Sequence, residues 1–267
     1  MKSIHQLCDM TGRVTLITGA TGFIGKAITE TVAELGSHVL LLDLETDALR
    51  TFANEIEKKF KVSAKYIELD LEDESRISGL SEIIPDYYPV IDVLINNAAF
   101  VGTSDITGWV TSFEEQSVST WKRALNVNLT SAFALSKECI NLLKTSEHGS
   151  IINIASIYGV YGPDLSLYEG TSMGNPAAYA ASKGGLLQLT RWLATTVAPE
   201  VRVNAISPGG VFRNQPEKFC ERYIQRTPLK RMATEEDFKG AIAYLASDMS
   251  CYVTGQNIIV DGGWGVW

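Results

Sequence analysis

Tyr179 and Lys183 lie four residues apart in the run YAASK. On a helix that spacing puts both side chains on one face. A tyrosine is ordinarily neutral near pH 7, and a nearby ammonium favours its phenolate. Such a pair could exchange a proton with an alcohol or ketone oxygen, although the same spacing also suits two unrelated surface residues. A second candidate is the run TGATGFIG at Thr18–Gly25. Its glycines, among them Gly19, Gly22 and Gly25, let the backbone turn sharply and approach a pyrophosphate. A helix opening at the end of such a run supplies unpaired N–H groups and a positive dipole. Read alone, Gly19 and Gly22 could equally serve a tight turn. Asp43 ends the next apolar run, about 20 residues on, where an acidic side chain accepts hydrogen bonds from the adenosine ribose and repels a 2′-phosphate. No Arg or Lys lies between Thr18 and Gly25, and Leu44 follows Asp43. NAD is therefore expected over NADP, with a turn-capping Asp43 as the alternative. Asp70, at the end of a third run, either approaches the adenine or is a surface carboxylate.

These residues need elements to hold them. Apolar, β-branched runs read as strands at Val14–Thr18, His38–Asp43, Ala64–Leu71, Ile91–Ala99, Ser150–Ser156, Val201–Ser207 and Asn257–Asp261. Helical patterns fill Gly22–Leu35, Thr46–Phe60, Glu72–Ile84, Ser119–Leu143, Pro176–Val197 and Thr234–Ser247. Alternating strands and helices imply right-handed crossovers and a parallel sheet covered on both faces. The expected fold is α/β: a Rossmann-like doubly wound sheet of about seven strands in three α/β/α layers, one domain over residues 1–267. The stretches Phe100–Val118, Ile157–Asn175 and Pro208–Thr227 break the rhythm. Each follows a strand, so each should lie at the carboxyl edge of the sheet, where ligands bind.

Taken together, the motifs resemble those of the short-chain dehydrogenase/reductase family, classical type. The matching pieces are the glycine loop, the Asp-Leu pair at 70–71, NNAA at 96–99, Asn128 in NVNL, Ser156 after SIINIA, YAASK at 179–183, SPGG at 207–210 and VTGQNIIVDGG at 253–263. They stand in the family's order over nearly the whole chain. The resemblance implies an NAD-dependent oxidoreductase acting on an alcohol or ketone carbon. Tyr179 would be the general acid/base, and Lys183 would hold the nicotinamide ribose and lower the tyrosine pKa. Ser156 would bind the substrate oxygen, and Asn128 would hold a water that links Lys183 to solvent. Cofactor contacts would come from Gly19, Thr21, Gly22, Phe23, Ile24, Gly25, Asp43, Asp70, Leu71, Asn97, Tyr179, Lys183 and Val211. Read without the family, Ser156 could be a strand-end turn residue, Asn128 could satisfy a backbone break, and Asn96 and Asn97 could tie strand ends together.

The chain departs from the family at several points. Phe23 stands where the classical loop has glycine, and TGATGFIG matches the extended branch, which includes sugar-nucleotide epimerases and dehydratases. An NAD-retaining epimerase or dehydratase, and a non-catalytic NAD-sensing regulator, are therefore the alternative functions. Ser156 and Tyr179 are 23 positions apart, longer than the family usually has. The intervening loop carries Tyr158, Tyr161, Asp164, Tyr168 and Glu169, and the loop after the fourth strand carries Asp105, Trp109, Glu114 and Glu115. Both should border the site mouth, either as a polar, aromatic-walled pocket for a sugar, amino sugar or polyol, or as an oligomer contact or lid. Arg213, past SPGGV, could meet a phosphate or carboxylate. The closing WGVW exposes aromatics unless something covers them, which together with the resemblance implies a homotetramer or homodimer.

Composition bounds the rest. The 267 residues are 45% hydrophobic and 20% charged, enough for a large core. A net charge of −8 argues against non-specific nucleic-acid binding. No apolar run approaches the ~20 residues of a membrane span, and Met1–Met10 lacks the apolar core of a secretory signal. The four scattered cysteines, and the three histidines far apart in sequence (His5, His38 and His148), suggest neither a disulfide framework nor a metal site. A reduced, cytoplasmic protein with a small-molecule substrate is expected, without a membrane or nucleic-acid partner.

Overall fold

The computed structural model describes residues 1–100 and 106–267. In chain order it runs α1 (Ile4–Cys8), β1 (Val14–Thr18), α2 (Phe23–Glu34), β2 (His38–Asp43), α3 (Thr46–Phe60) and β3 (Ala64–Glu68). Two short helices follow, α4 (Glu74–Ile77) and α5 (Leu80–Ile83), then β4 (Val93–Asn96). The second half is α6 (Val118–Leu125), α7 (Ser131–Lys144), β5 (Ser150–Ile154), α8 (Ala177–Thr196), β6 (Arg202–Pro208), α9 (Glu217–Arg226), α10 (Lys239–Ala246) and β7 (Asn257–Val260).

The seven strands form one sheet in the order β3-β2-β1-β4-β5-β6-β7, every pair parallel. This is the doubly wound arrangement expected from the strand–helix alternation. Side chains alternate between the two faces, as the strand period requires. Ile17, Leu41, Ile95, Ile152 and Ile206 pack under α2, α3 and α10. Leu16, Leu40, Leu94, Ile151 and Val203 pack against residues of α4, α5, α7 and α8. The order reverses between β1 and β4, and the crevice that opens there at the carboxyl ends is where such sheets bind ligands.

Several expected elements are shorter or broken. The third strand ends at Glu68 and the fourth spans Val93–Asn96, because the chain leaves the sheet to line the crevice. The helix expected over 72–84 is split at Gly79, which has φ 95° and donates its N–H to Glu138 Oε2 at 3.1 Å instead of a helical carbonyl. The long helix expected from Ser119 is interrupted by a π turn at Asn126–Thr130. The stretch 208–227, read as irregular, contains α9. Its prolines and charged residues hide an amphipathic face on which Phe219, Cys220 and Tyr223 are buried. Asp105, expected at the site mouth, lies outside the described residues. Among the described residues, no helix is long and apolar enough to cross a membrane.

Candidate active site

The glycine loop lies against the end of β4. Gly19 has φ 63°, and a Cβ there would sit 2.8 Å from Ala98 Cα. A Cβ on Gly25 would sit 2.0 Å from Gly19 O, so only glycine lets α2 begin this close to the turn. Gly22 is the N-cap of α2 with no side-chain cap, which leaves the first N–H groups of the helix to face the crevice. The crevice holds a cavity of about 430 Å³ lined by Gly19, Thr21, Gly22, Phe23, Ile24, Gly25, Asp43, Asp70, Leu71 and Asn97. Ten of the residues expected to contact a dinucleotide are thus brought together. Tyr179, Lys183 and Val211 are not among the lining; Val211 is buried and bridges to Ala233. Sequence reading missed Ala98, Ala99 and Phe100, which line the cavity because the chain leaves β4 early. Their position just after NN was the available signal.

Five lining side chains, Thr21, Asp43, Asp70, Glu72 and Asn97, have structural partners too. Asp43 Oδ2 accepts from the Thr21 N–H at 2.9 Å and the Thr21 hydroxyl at 2.6 Å, while Oδ1 accepts from the Leu44 N–H. Asp43 therefore both fixes the glycine loop and presents a carboxylate to the cavity. Asn97 donates to Thr18 O and Gly19 O, both at 3.0 Å, which ties β4 to β1. Asp70 Oδ1 accepts from the Glu72 N–H, and Glu72 forms a two-pronged pair with Arg123 at 2.8 and 2.7 Å.

Across the crevice, Ser156 stands just past β5 and is buried; its Oγ accepts from the Tyr158 N–H at 3.2 Å. Tyr179 and Lys183 rise from the first turns of α8. The Lys183 ammonium is 2% exposed, donates to Ile154 O at 2.8 Å and lies 5.9 Å from the Tyr179 ring centroid. Gly159 permits this arrangement, since a Cβ there would meet the Lys183 carbonyl at 2.7 Å. Burial lowers the Lys183 pKa from 10.5 to about 8. Burial also holds the Tyr179 pKa above its usual value, against the opposing effects of a Ser156 hydrogen bond and the Arg213 charge. Lys183 is not among the groups that shift Tyr179, whose net shift is upward because desolvation of the phenol outweighs the Ser156 hydrogen bond and the Arg213 charge.

Asn128 lies in the π turn. Its Oδ1 accepts from the Phe100 N–H at 2.6 Å and its Nδ2 donates to Ser182 Oγ at 2.9 Å. It therefore joins the loop after β4, the α6–α7 break and α8, the helix that carries Tyr179. Rare π turns are often found at functional sites.

The two long loops frame a second cavity of about 870 Å³, whose walls include Trp109, Phe113, Tyr168, Glu169 and Asn175. Tyr158 and Tyr168 join hydroxyl to hydroxyl at 2.6 Å. Burial pushes both phenols up, so both stay neutral hydrogen-bonding groups. Asp164 is not free for a ligand: it caps Ser166 and pairs with Arg226. Of the closing aromatics, Trp264 is fully buried among Tyr158, Tyr161 and Tyr223, whereas Val266 and Trp267 are 74% and 75% exposed.

The family model described as enoyl-(acyl carrier protein) reductase matches residues 19–265. A 3-oxoacyl-[acyl-carrier-protein] reductase of Thermotoga maritima is 34% identical, over 94% of this chain and 97% of its own. A solved structure from Beutenbergia cavernae, a candidate NAD(P)-dependent gluconate 5-dehydrogenase with bound NADP, is 34% identical with TM-score 0.85, covering 98% of this chain and 100% of its own. An NAD+-bound xylitol dehydrogenase is 30% identical with TM-score 0.83, over 95% of this chain and 99% of its own. The fold, the crevice and these likenesses agree, and the chain belongs to the short-chain dehydrogenase/reductase family of oxidoreductases.

Proposed function

We propose that residues 1–267 form one NAD-dependent dehydrogenase domain that interconverts an alcohol and a ketone on a small polyhydroxylated substrate such as a sugar, amino sugar or polyol. The observation that carries the reading is the group of buried Ser156, part-buried Tyr179 and buried Lys183 at the carboxyl end of β5, beside a glycine-lined crevice whose Arg213 also acts on Tyr179. A bound nicotinamide would donate or accept the hydride. The protein's own work is position and proton transfer. The Tyr179 hydroxyl gives its proton to the developing alkoxide in reduction and takes it back in oxidation. Ser156 holds the same oxygen. Lys183, kept beside Tyr179 by Ile154 O, supplies positive charge to the phenolate formed on proton loss. Asn128 positions the loop after β4 and α8, and opens the route by which Lys183 exchanges protons with solvent.

Asp43 supports NAD. Its neighbours in the adjoining hollow include Glu45, Asp47 and Glu55, whereas Lys26, the one cation lining it among the described residues, lies over the Phe52 ring at 5.7 Å. A 2′-phosphate would meet more carboxylate than ammonium. The polar and aromatic lining of the second cavity supports a hydroxylated substrate, and relatives named for gluconate and xylitol agree with it. The family model and the Thermotoga relative favour a second reading, a 3-oxoacyl thioester.

The test is NADH formation from NAD by the purified protein, with sugars, amino sugars, their phosphates, polyols and 3-hydroxyacyl thioesters as substrates. Turnover on a hydroxylated substrate, with NAD preferred at least tenfold over NADP, is expected. Turnover on thioesters alone would replace the substrate assignment. Bound NAD with no net NADH on any substrate would move the protein to the retained-cofactor epimerases or to the regulators.

A further inference from the structure

The loop after β6 brings one cation to the crevice. Arg213 is the sole Lys or Arg among the described residues lining the 430 Å³ cavity, whose other charged members are Asp43, Asp70 and Glu72. Glu72 pairs with Arg123, whose charge also acts on Asp70, while Asp43 forms no ion pair among the described residues. A dinucleotide brings a diphosphate, a dianion, into this field. The start of α2 offers it N–H groups worth only about half a positive charge. A full cation at the diphosphate would add to that partial charge and offset the Asp43 carboxylate.

Arg213 is arranged to take that part. Its guanidinium lies over the Phe23 ring, 4.3 Å from the centroid, and so reaches the glycine loop from the opposite side of the crevice. Phe23 is 65% exposed, a large apolar side chain in the turn that approaches phosphate. Its position explains it: the ring is a platform that holds the guanidinium by its face. Stacking occupies the face and leaves the edge donors for planar, two-pronged phosphate contacts. The Arg213 Nε pairs with Glu235 at 3.2 Å, while its two terminal nitrogens have no hydrogen-bonding partner among the described residues. The Glu235 pair is about one-third exposed on each side and so is weakly held.

We propose that Arg213 is the diphosphate anchor of this dinucleotide site, and that Phe23 is its positioning residue. The inference rests on the dinucleotide reading above. It gives the departure from glycine at position 23 a purpose: the loop trades an open turn for a platform that recruits a cation from the far side.

The experiment is calorimetric titration of the full chain with NAD, ADP-ribose and adenosine. Losing a charge-assisted contact to phosphate corresponds to roughly a 10- to 100-fold change in affinity. Arg213→Ala should weaken NAD and ADP-ribose by that factor and leave adenosine, which has no diphosphate, unchanged. It should also flatten the dependence of NAD affinity on salt. Arg213→Lys should restore part of the loss. Phe23→Ala should weaken NAD about threefold to tenfold, with Phe23→Tyr restoring it. Unchanged NAD affinity in Arg213→Ala, or an equal loss for adenosine, overturns the anchor. Wild-type protein that binds neither NAD nor ADP-ribose overturns the dinucleotide reading and the anchor with it.

Discussion

At the scale of single residues, the site is governed by desolvation. Tyr179 and Lys183 are both pushed toward their neutral forms by burial. A neutral phenol suits proton donation to an alkoxide, and the lysine, lowered only to about 8, still carries its charge near pH 7. Tyr179→Phe should lower turnover by roughly 10²- to 10⁴-fold while leaving NAD affinity within a few-fold, measured by steady-state kinetics beside direct titration. Lys183 makes a separate prediction. Between about pH 8 and 10.5 the unfolded chain keeps the lysine proton and the folded chain does not. Stability from this group therefore rises with pH through that window, and the full cost of burying its charge is present below it. Wild-type protein should gain melting temperature relative to Lys183→Met between pH 7 and 10.5. A gap that stays constant with pH would remove the buried-ammonium explanation.

At the scale of elements, turns do the positioning. Gly25 sits where any side chain would collide with the Gly19 carbonyl, so Gly25→Ala should force α2 away from the loop. At least a tenfold loss of NAD affinity is expected by titration, and unchanged affinity would show that the loop tolerates the shift. The π turn is the other device. Asn128→Ala removes the acceptor for the Phe100 N–H and a donor to Ser182. Leaving a part-buried amide unpaired costs about 1–3 kcal/mol. Denaturant unfolding should show a loss of that size, with a larger fall in turnover than in NAD affinity, because the β4 loop and α8 lose their link. Asn128→Asp keeps the acceptor but buries a carboxylate and loses the donor to Ser182, so it should recover little of the stability.

At the scale of the whole molecule, the apolar end of the chain points outward. Ile259 on edge strand β7 is 38% exposed, and Val266 and Trp267 extend beyond the buried Trp264. We propose that copies of the chain associate through this edge as a homotetramer or homodimer within the cytoplasm. Sedimentation should give a multiple of 29.2 kDa, and Trp267→Ser with Val266→Ser should shift it toward smaller species. A wild-type monomer across micromolar concentrations would refute the association.

Much of this architecture can be read along the chain because it depends on neighbours in sequence. The apolar, β-branched strand runs, the helical patterns and the order of motifs specify a parallel doubly wound sheet, and nearly all the elements are placed within a few residues. TGATGFIG, Asp43 and YAASK report their own chemistry because each depends on a short run: a turn without side chains, a carboxylate ending a strand, two residues one helical turn apart. The misses share a cause, which is contact between distant segments. Gly79 gives its N–H to Glu138, Asn128 takes one from Phe100, and α9 hides its apolar face until Trp264 covers it. The raised Tyr179 pKa is of the same kind, since burial is a property of the packed molecule. So is the meeting of Phe23 and Arg213, which stand 190 positions apart and come together only when the sheet sets β1 and β6 in one plane. Local periodicity is written in consecutive residues, whereas solvation and long-range pairing exist only once the chain has closed on itself.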